Sequence, residues 1–150
     1  MDINEDFNEI VSYTHVWHWC SDWDILQKIY NIFPESYSVL TPFAYSYLEE
    51  AIRSTTSEYG IEILDKNGNP KRRKVGLALI QLAQQENNDN IVYVKLLDEL
   101  KKYFKESSSS DNGNNRNSVI HGYMHPINWK KESFENLIHD IARLSPYVGF

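Results

Sequence analysis

A single cysteine, Cys20, is present in 150 residues. It excludes an internal disulfide and makes a reducing cytosol the expected home. No run of about 18 apolar residues occurs, so no transmembrane helix and no membrane partner are expected. The first residues, Met1-Asp2-Ile3-Asn4-Glu5-Asp6, are acidic and lack the basic start and apolar stretch of a signal peptide. The expected location is therefore cytoplasmic. There is no glycine-rich phosphate loop, no Gly-x-Ser-x-Gly elbow and no paired Cys-x-x-Cys. Strand patterning is nearly absent as well.

What is present is enough apolar material for one packed domain. Hydrophobic residues make up 41% of the chain and aromatics 13%, which places it among globular rather than disordered sequences. The net charge of −6 argues mildly against a general nucleic-acid binder. Its distribution says more. Residues 1–60 carry ten acids against Lys28 and Arg53, whereas residues 61–150 carry thirteen bases against eleven acids. Any anionic ligand would meet the second part more readily.

Apolar periodicity predicts helices joined by short loops. Thr41-Pro42 reads as an N-cap followed by a first helical position, opening a helix over 42–59 that Gly60 ends. Asp65 to Pro70 is a turn-forming stretch, and Ile61 and Ile63 beside it suggest a short extended segment. Further helices are predicted over 72–86 (Val75, Leu79, Leu82, Ala83 inward) and 91–105 (Tyr93, Leu96, Leu97, Leu100, Tyr103, Phe104 inward). A last one is predicted over 131–144 (Phe134, Leu137, Ile138, Ile141, Leu144 inward). The polar stretch 107–115 reads as a mobile loop. Residues 1–40 form a helical extension with a helix near 23–33 and a cluster of Trp17, Trp19 and Trp23 expected to pack on the core. The expected fold class is all-α, an antiparallel helical bundle over 41–150 carrying the extension 1–40.

The most informative segment is Arg116-Asn117-Ser118-Val119-Ile120-His121-Gly122. Asn114 or Asn115 can cap a short helix there, with Gly122 and Pro126 limiting its length. At about 100° per residue Asn117 and His121 stack on one face, and Arg116 lies one position round. Val119 and Ile120 point elsewhere and are expected to anchor the helix. Arginine offers fixed donors to phosphate oxygens, histidine exchanges a proton near neutrality, and asparagine can orient either group. This set suits phosphodiester chemistry.

The segment resembles the Arg-x(4–6)-His motif of the HEPN superfamily, small all-helical domains named for higher eukaryotes and prokaryotes nucleotide binding. The resemblance covers residues 41–150. It implies a metal-independent endoribonuclease without cofactors, of toxin–antitoxin or antiviral defence type. In that reaction the ribose 2′-hydroxyl attacks the adjacent phosphate, leaving a 2′,3′-cyclic phosphate and a 5′-hydroxyl. His121 would act as general base or acid, Arg116 would stabilise phosphoryl charge, and Asn117 would orient His121 or the ribose. The resemblance further implies a homodimer with a composite site, RNA as substrate, and an antitoxin or other protein partner. Some members keep the fold and instead bind nucleotides or proteins without catalysis.

Secondary candidates surround the motif. Tyr123 is placed to touch a base, and His125 to assist proton transfer. The run Lys71-Arg72-Arg73-Lys74 can meet RNA backbone. Glu49 and Arg53 form an i, i+4 pair on the helix from Thr41. Either Glu49 or Glu50 could hold Arg116. His15, His18 and Cys20 lack the second ligand pair that a zinc site needs, so no metal is expected.

Overall fold

The computed structural model describes residues 2–150 and shows an all-α bundle. Its helices are α1 (Ile3–Tyr13), α2 (Cys20–Ile32), α3 (Tyr37–Arg53), α4 (Gly76–Glu86), α5 (Ile91–Leu100), α6 (Arg116–Ile120) and α7 (Lys131–Leu144). Among the described residues there is no strand, only an isolated bridge between Leu64 and Pro70. No helix is long and apolar enough to cross a membrane.

The α3 helix is the axis of the molecule. Leu40, Ala44, Tyr47, Leu48, Ala51 and Ile52 are buried along it, and it packs on α4, α6 and α7. It begins five residues before the start that Thr41-Pro42 suggests. Pro42 therefore lies inside the helix, where it cannot donate to the carbonyl one turn back. Burial of Leu40 on the same face as Ala44 and Leu48 outweighs that loss. Thr41 does not cap. It is buried, and its hydroxyl donates to the Tyr37 carbonyl at 2.7 Å.

The α3 helix also stops at Arg53 rather than near Gly60. Ser54, Thr55 and Thr56 turn their hydroxyls back onto the carbonyls of Ala51, Ile52 and Arg53 at 2.6–2.8 Å. These side-chain bonds compete with helix continuation. The basic run is likewise not helical. Residues 71–75 carry no regular structure, and α4 starts only at Gly76, so Val75 is exposed instead of inward. A turn built on Asp65 holds this segment, its Oδ1 accepting from the N–H groups of Asn67 and Asn69. Those bonds hold the Asp65 carboxyl below the usual carboxylate range.

The α5 helix gives way to a 3-10 turn over Lys101–Phe104, and all six residues of its expected stripe are buried. The α7 helix has the expected limits and the expected inward face. The expected helix near 23–33 is α2, which starts earlier at Cys20, and α1 precedes it. Asp2 caps α1, and Phe7 and Ile10 of α1 enter the same core as α3 and α7. The boundary between residues 40 and 41 falls within α3. Trp23 is fully buried, whereas Trp17 stands in solvent, contrary to expectation.

The polar stretch 107–115 is tied down rather than loose. Buried Tyr45 donates its hydroxyl to the Gly113 carbonyl at 2.9 Å. Ser133 Oγ donates to Asn112 Oδ1 at 2.6 Å, and the Lys130 N–H donates to the Asn112 carbonyl at 2.8 Å. Burial pushes the Tyr45 hydroxyl well above its ordinary value, so it stays a donor at any ordinary pH.

Candidate functional site

The motif helix α6 is five residues long and exists because both ends are capped. Asn115 Oδ1 accepts from the Asn117 N–H at 3.0 Å, settling the choice between Asn114 and Asn115. The amide of Asn115 donates to the carbonyls of Lys105 and Glu106 and to Asp111 Oδ2, each at 3.2 Å. At the far end Gly122 takes φ +64°, and the Tyr123 N–H reaches back to the Ser118 carbonyl at 2.9 Å. That left-handed turn is the standard close of a helix and favours glycine. Ser118 and Val119 form the buried face. Ile120 is 43% exposed and does not anchor the helix.

Arg116 is held where α6 meets α3. Its Nη2 donates to Glu49 Oε2 at 2.8 Å, with the two side chains 16% and 11% exposed. Of the two acids that could hold Arg116, Glu49 does so. Its other oxygen accepts from the Gly76 N–H at 3.0 Å. Glu49 is thus a joint between α3, α6 and the start of α4. Arg53 pairs with Glu50, not Glu49, at 2.8 Å, and its Nη2 donates to the Lys74 carbonyl at 2.8 Å. The end of the basic run therefore lies beside the acids that anchor the motif.

Asn117 orients Arg116 and not His121. Its Oδ1 accepts from Arg116 Nη1 at 3.4 Å, and its Nδ2 donates to the Lys105 carbonyl at 2.8 Å. His121 caps α6, and its N–H bonds the Asn117 carbonyl, so the expected one-turn spacing is kept. The His121 ring is exposed and has no hydrogen-bond partner among the described residues.

The secondary candidates divide. Tyr123 is 56% exposed and adjoins the motif in sequence. His125 is exposed, and its Nδ1 accepts from the Ile127 N–H at 3.1 Å and caps a short turn. Lys71 and Arg72 are exposed, with no side-chain partner among the described residues. Arg73 and Lys74 are engaged. Arg73 donates to the Ile61 carbonyl at 2.9 Å, and Lys74 pairs with Glu58 at 3.3 Å. Among the described residues no three His, Cys, Asp or Glu side chains gather as a metal site.

The contribution of the Lys105 carbonyl escapes sequence reasoning, because any residue supplies one. Comparison with protein-family models, with curated proteins and with solved structures finds no match for the chain.

Proposed function

We propose that the protein is a metal-independent endoribonuclease of the HEPN type, acting in defence or as the toxin of a toxin–antitoxin pair. The observation that carries this reading is the contrast at the two ends of α6. Arg116 is fixed at the start by Glu49 and Asn117, while His121 stands at the end with its ring exposed and unpartnered. A fixed cation and a free imidazole at the two ends of one short helix, five residues apart, suit charge stabilisation and proton transfer on one phosphodiester. Arg116 Nε has no acceptor but is buried, so Nη1, whose contact to Asn117 is long at 3.4 Å, is the nitrogen offered to a phosphoryl oxygen. Lys71 and Arg72 supply free cations for the backbone.

One imidazole is short of the acid and base that the reaction needs. The reading therefore includes a homodimer with a shared cleft. Ile120, Tyr123 and Ile127, close to His121 in sequence and exposed, give a second copy apolar side chains to cover.

A second reading is a non-catalytic nucleotide- or protein-binding module. It is favoured by the depth of Arg116, which is 16% exposed and already paired. Cleavage of structured and unstructured RNA in EDTA separates the two. The ribonuclease reading expects cutting that leaves cyclic phosphate ends and falls by about 10²–10⁴ in His121→Ala. Cutting that persists undiminished in both His121→Ala and Arg116→Ala refutes it.

A further inference from the structure

The turn before α2 displays Trp17 at 83% exposure. Two residues on, Trp19 adopts φ +52°, the one positive value at a non-glycine position among the described residues. The Trp19 ring is locked edge-on against Phe43 and Tyr47, so the turn that carries Trp17 is held at its base. Between this turn and α3 lies a cleft of about 510 Å³, within the range of small-molecule sites. Trp17, Asp22, Ser46, Glu49, Glu50 and Arg53 line it.

We propose that this cleft binds a guanine base. Three features converge on that chemistry. The exposed indole of Trp17 offers a face for stacking, which any base can use. Asp22 has no side-chain partner among the described residues, and Glu50 commits only Oε2, to Arg53. These carboxylates accept hydrogen bonds only. Guanine is the one common base whose pairing edge sets an imino N–H beside an amino group, giving adjacent donors. Adenine and cytosine place a ring acceptor there, and uracil flanks its N–H with two carbonyls. The third feature is Arg53, which is 7% exposed and has an Nε without any acceptor. With Nη1 on Glu50 and Nη2 on the Lys74 carbonyl, the Nε N–H is the single donor Arg53 keeps for one acceptor of guanine, O6 or N7.

The charge balance adds a constraint. Among the lining residues the three carboxylates Asp22, Glu49 and Glu50 outnumber Arg53 and His18, so the cleft favours the base over its phosphate. Guanosine then binds no more weakly than its monophosphate. Glu49 also holds Arg116, so a bound guanine would lie one carboxylate away from the motif. Its use as a cleavage preference rests on the ribonuclease reading; binding itself does not.

The test is calorimetric titration of the full chain with guanosine, inosine, adenosine, cytidine and uridine in EDTA. Guanosine should saturate, with the other three common nucleosides at least about tenfold weaker. Inosine, lacking the amino group, should also be weaker by about tenfold, one hydrogen bond to a charged acceptor. Trp17→Ala should abolish binding, Trp17→Phe should retain it, and Asp22→Asn should weaken it. Both side chains are exposed, so melting temperatures should match wild type.

A single-guanine oligoribonucleotide titrated into His121→Ala distinguishes the source. Affinity well above that of guanosine marks an RNA strand, equal affinity marks a free nucleoside, and either supports the site. Equal affinity for all nucleosides, no saturation, unchanged binding in Trp17→Ala, or tighter binding of agmatine overturns it. The last result would mark a cage for basic peptides. Guanosine binding without any RNA cleavage upholds the cleft and refutes the ribonuclease.

Discussion

Replacing Glu49 by alanine removes the carboxylate on which both Arg116 and the Gly76 N–H depend. Taking one partner from a fully buried ion pair costs roughly 3–5 kcal/mol. The residual exposure of 16% and 11% places this pair toward the lower end. The orphaned Gly76 N–H adds about 1 kcal/mol. The expected loss is therefore about 3–4 kcal/mol, a fall in melting temperature of about 10 °C for a domain of this size. Arg116→Ala should cost less, because Glu49 keeps its bond to Gly76. The double variant should be more stable than the summed single losses imply, with a coupling of roughly 1.5–3 kcal/mol. Urea denaturation of all four proteins, followed by circular dichroism, measures each quantity. Losses that add to within about 0.5 kcal/mol would show that the pair does not hold the motif helix.

Two further predictions concern the frame around the site. Burial alone would raise the Asp140 carboxyl, but hydrogen bonds from Lys102 and Tyr103, with the Lys102 and Arg143 charges, hold it below the usual carboxylate range. A depressed folded value gives stability that is present above the unfolded value and lost as pH falls through the folded one. Urea midpoints of wild type should thus drop below about pH 4, while Asp140→Asn starts lower and follows a flatter acid limb; parallel limbs would contradict this. Asn115→Ala should cost about 1–2 kcal/mol by removing the cap of α6. It should also speed amide exchange across 105–121, and unchanged exchange there would mean the loop is held by other contacts.

Long stretches with one strong apolar period were legible from sequence alone. The α5 stripe and α7 are the clearest cases, because six or five inward residues at helical spacing leave little choice. Helix ends were less legible where polar side chains compete. Pro42 looked like a start because local chemistry favours it there, and burial of Leu40 overrode that preference. Thr55 and Thr56 ended α3 through bonds to the preceding turn, which no spacing rule announces. At the site, the cap by Asn115 and the turn at Gly122 were readable as local signals. The choice of Glu49 over Glu50 was not, since it depends on how α6 is rotated against α3, 67 positions away. Trp17 was misplaced for a related reason: three tryptophans within seven residues cannot all face one core.

The packing of α1 on α7 has a consequence for the order of events during synthesis. These helices lie at opposite ends of the described chain and form one of its principal interfaces. The α1 helix can rest Phe7 on Trp23 and Tyr30 of α2 early, but its face on α7 stays open until residues 131–144 have been made. The 112–113 segment, pinned by Ser133 and Lys130, waits for the same residues, and α6 is too short to persist alone. The support of the motif is therefore completed late, when α7 joins early and late parts of the chain. A nascent chain that stalls before α7 carries Arg116 and His121 without the Ser133 and Lys130 contacts that pin the segment leading into them.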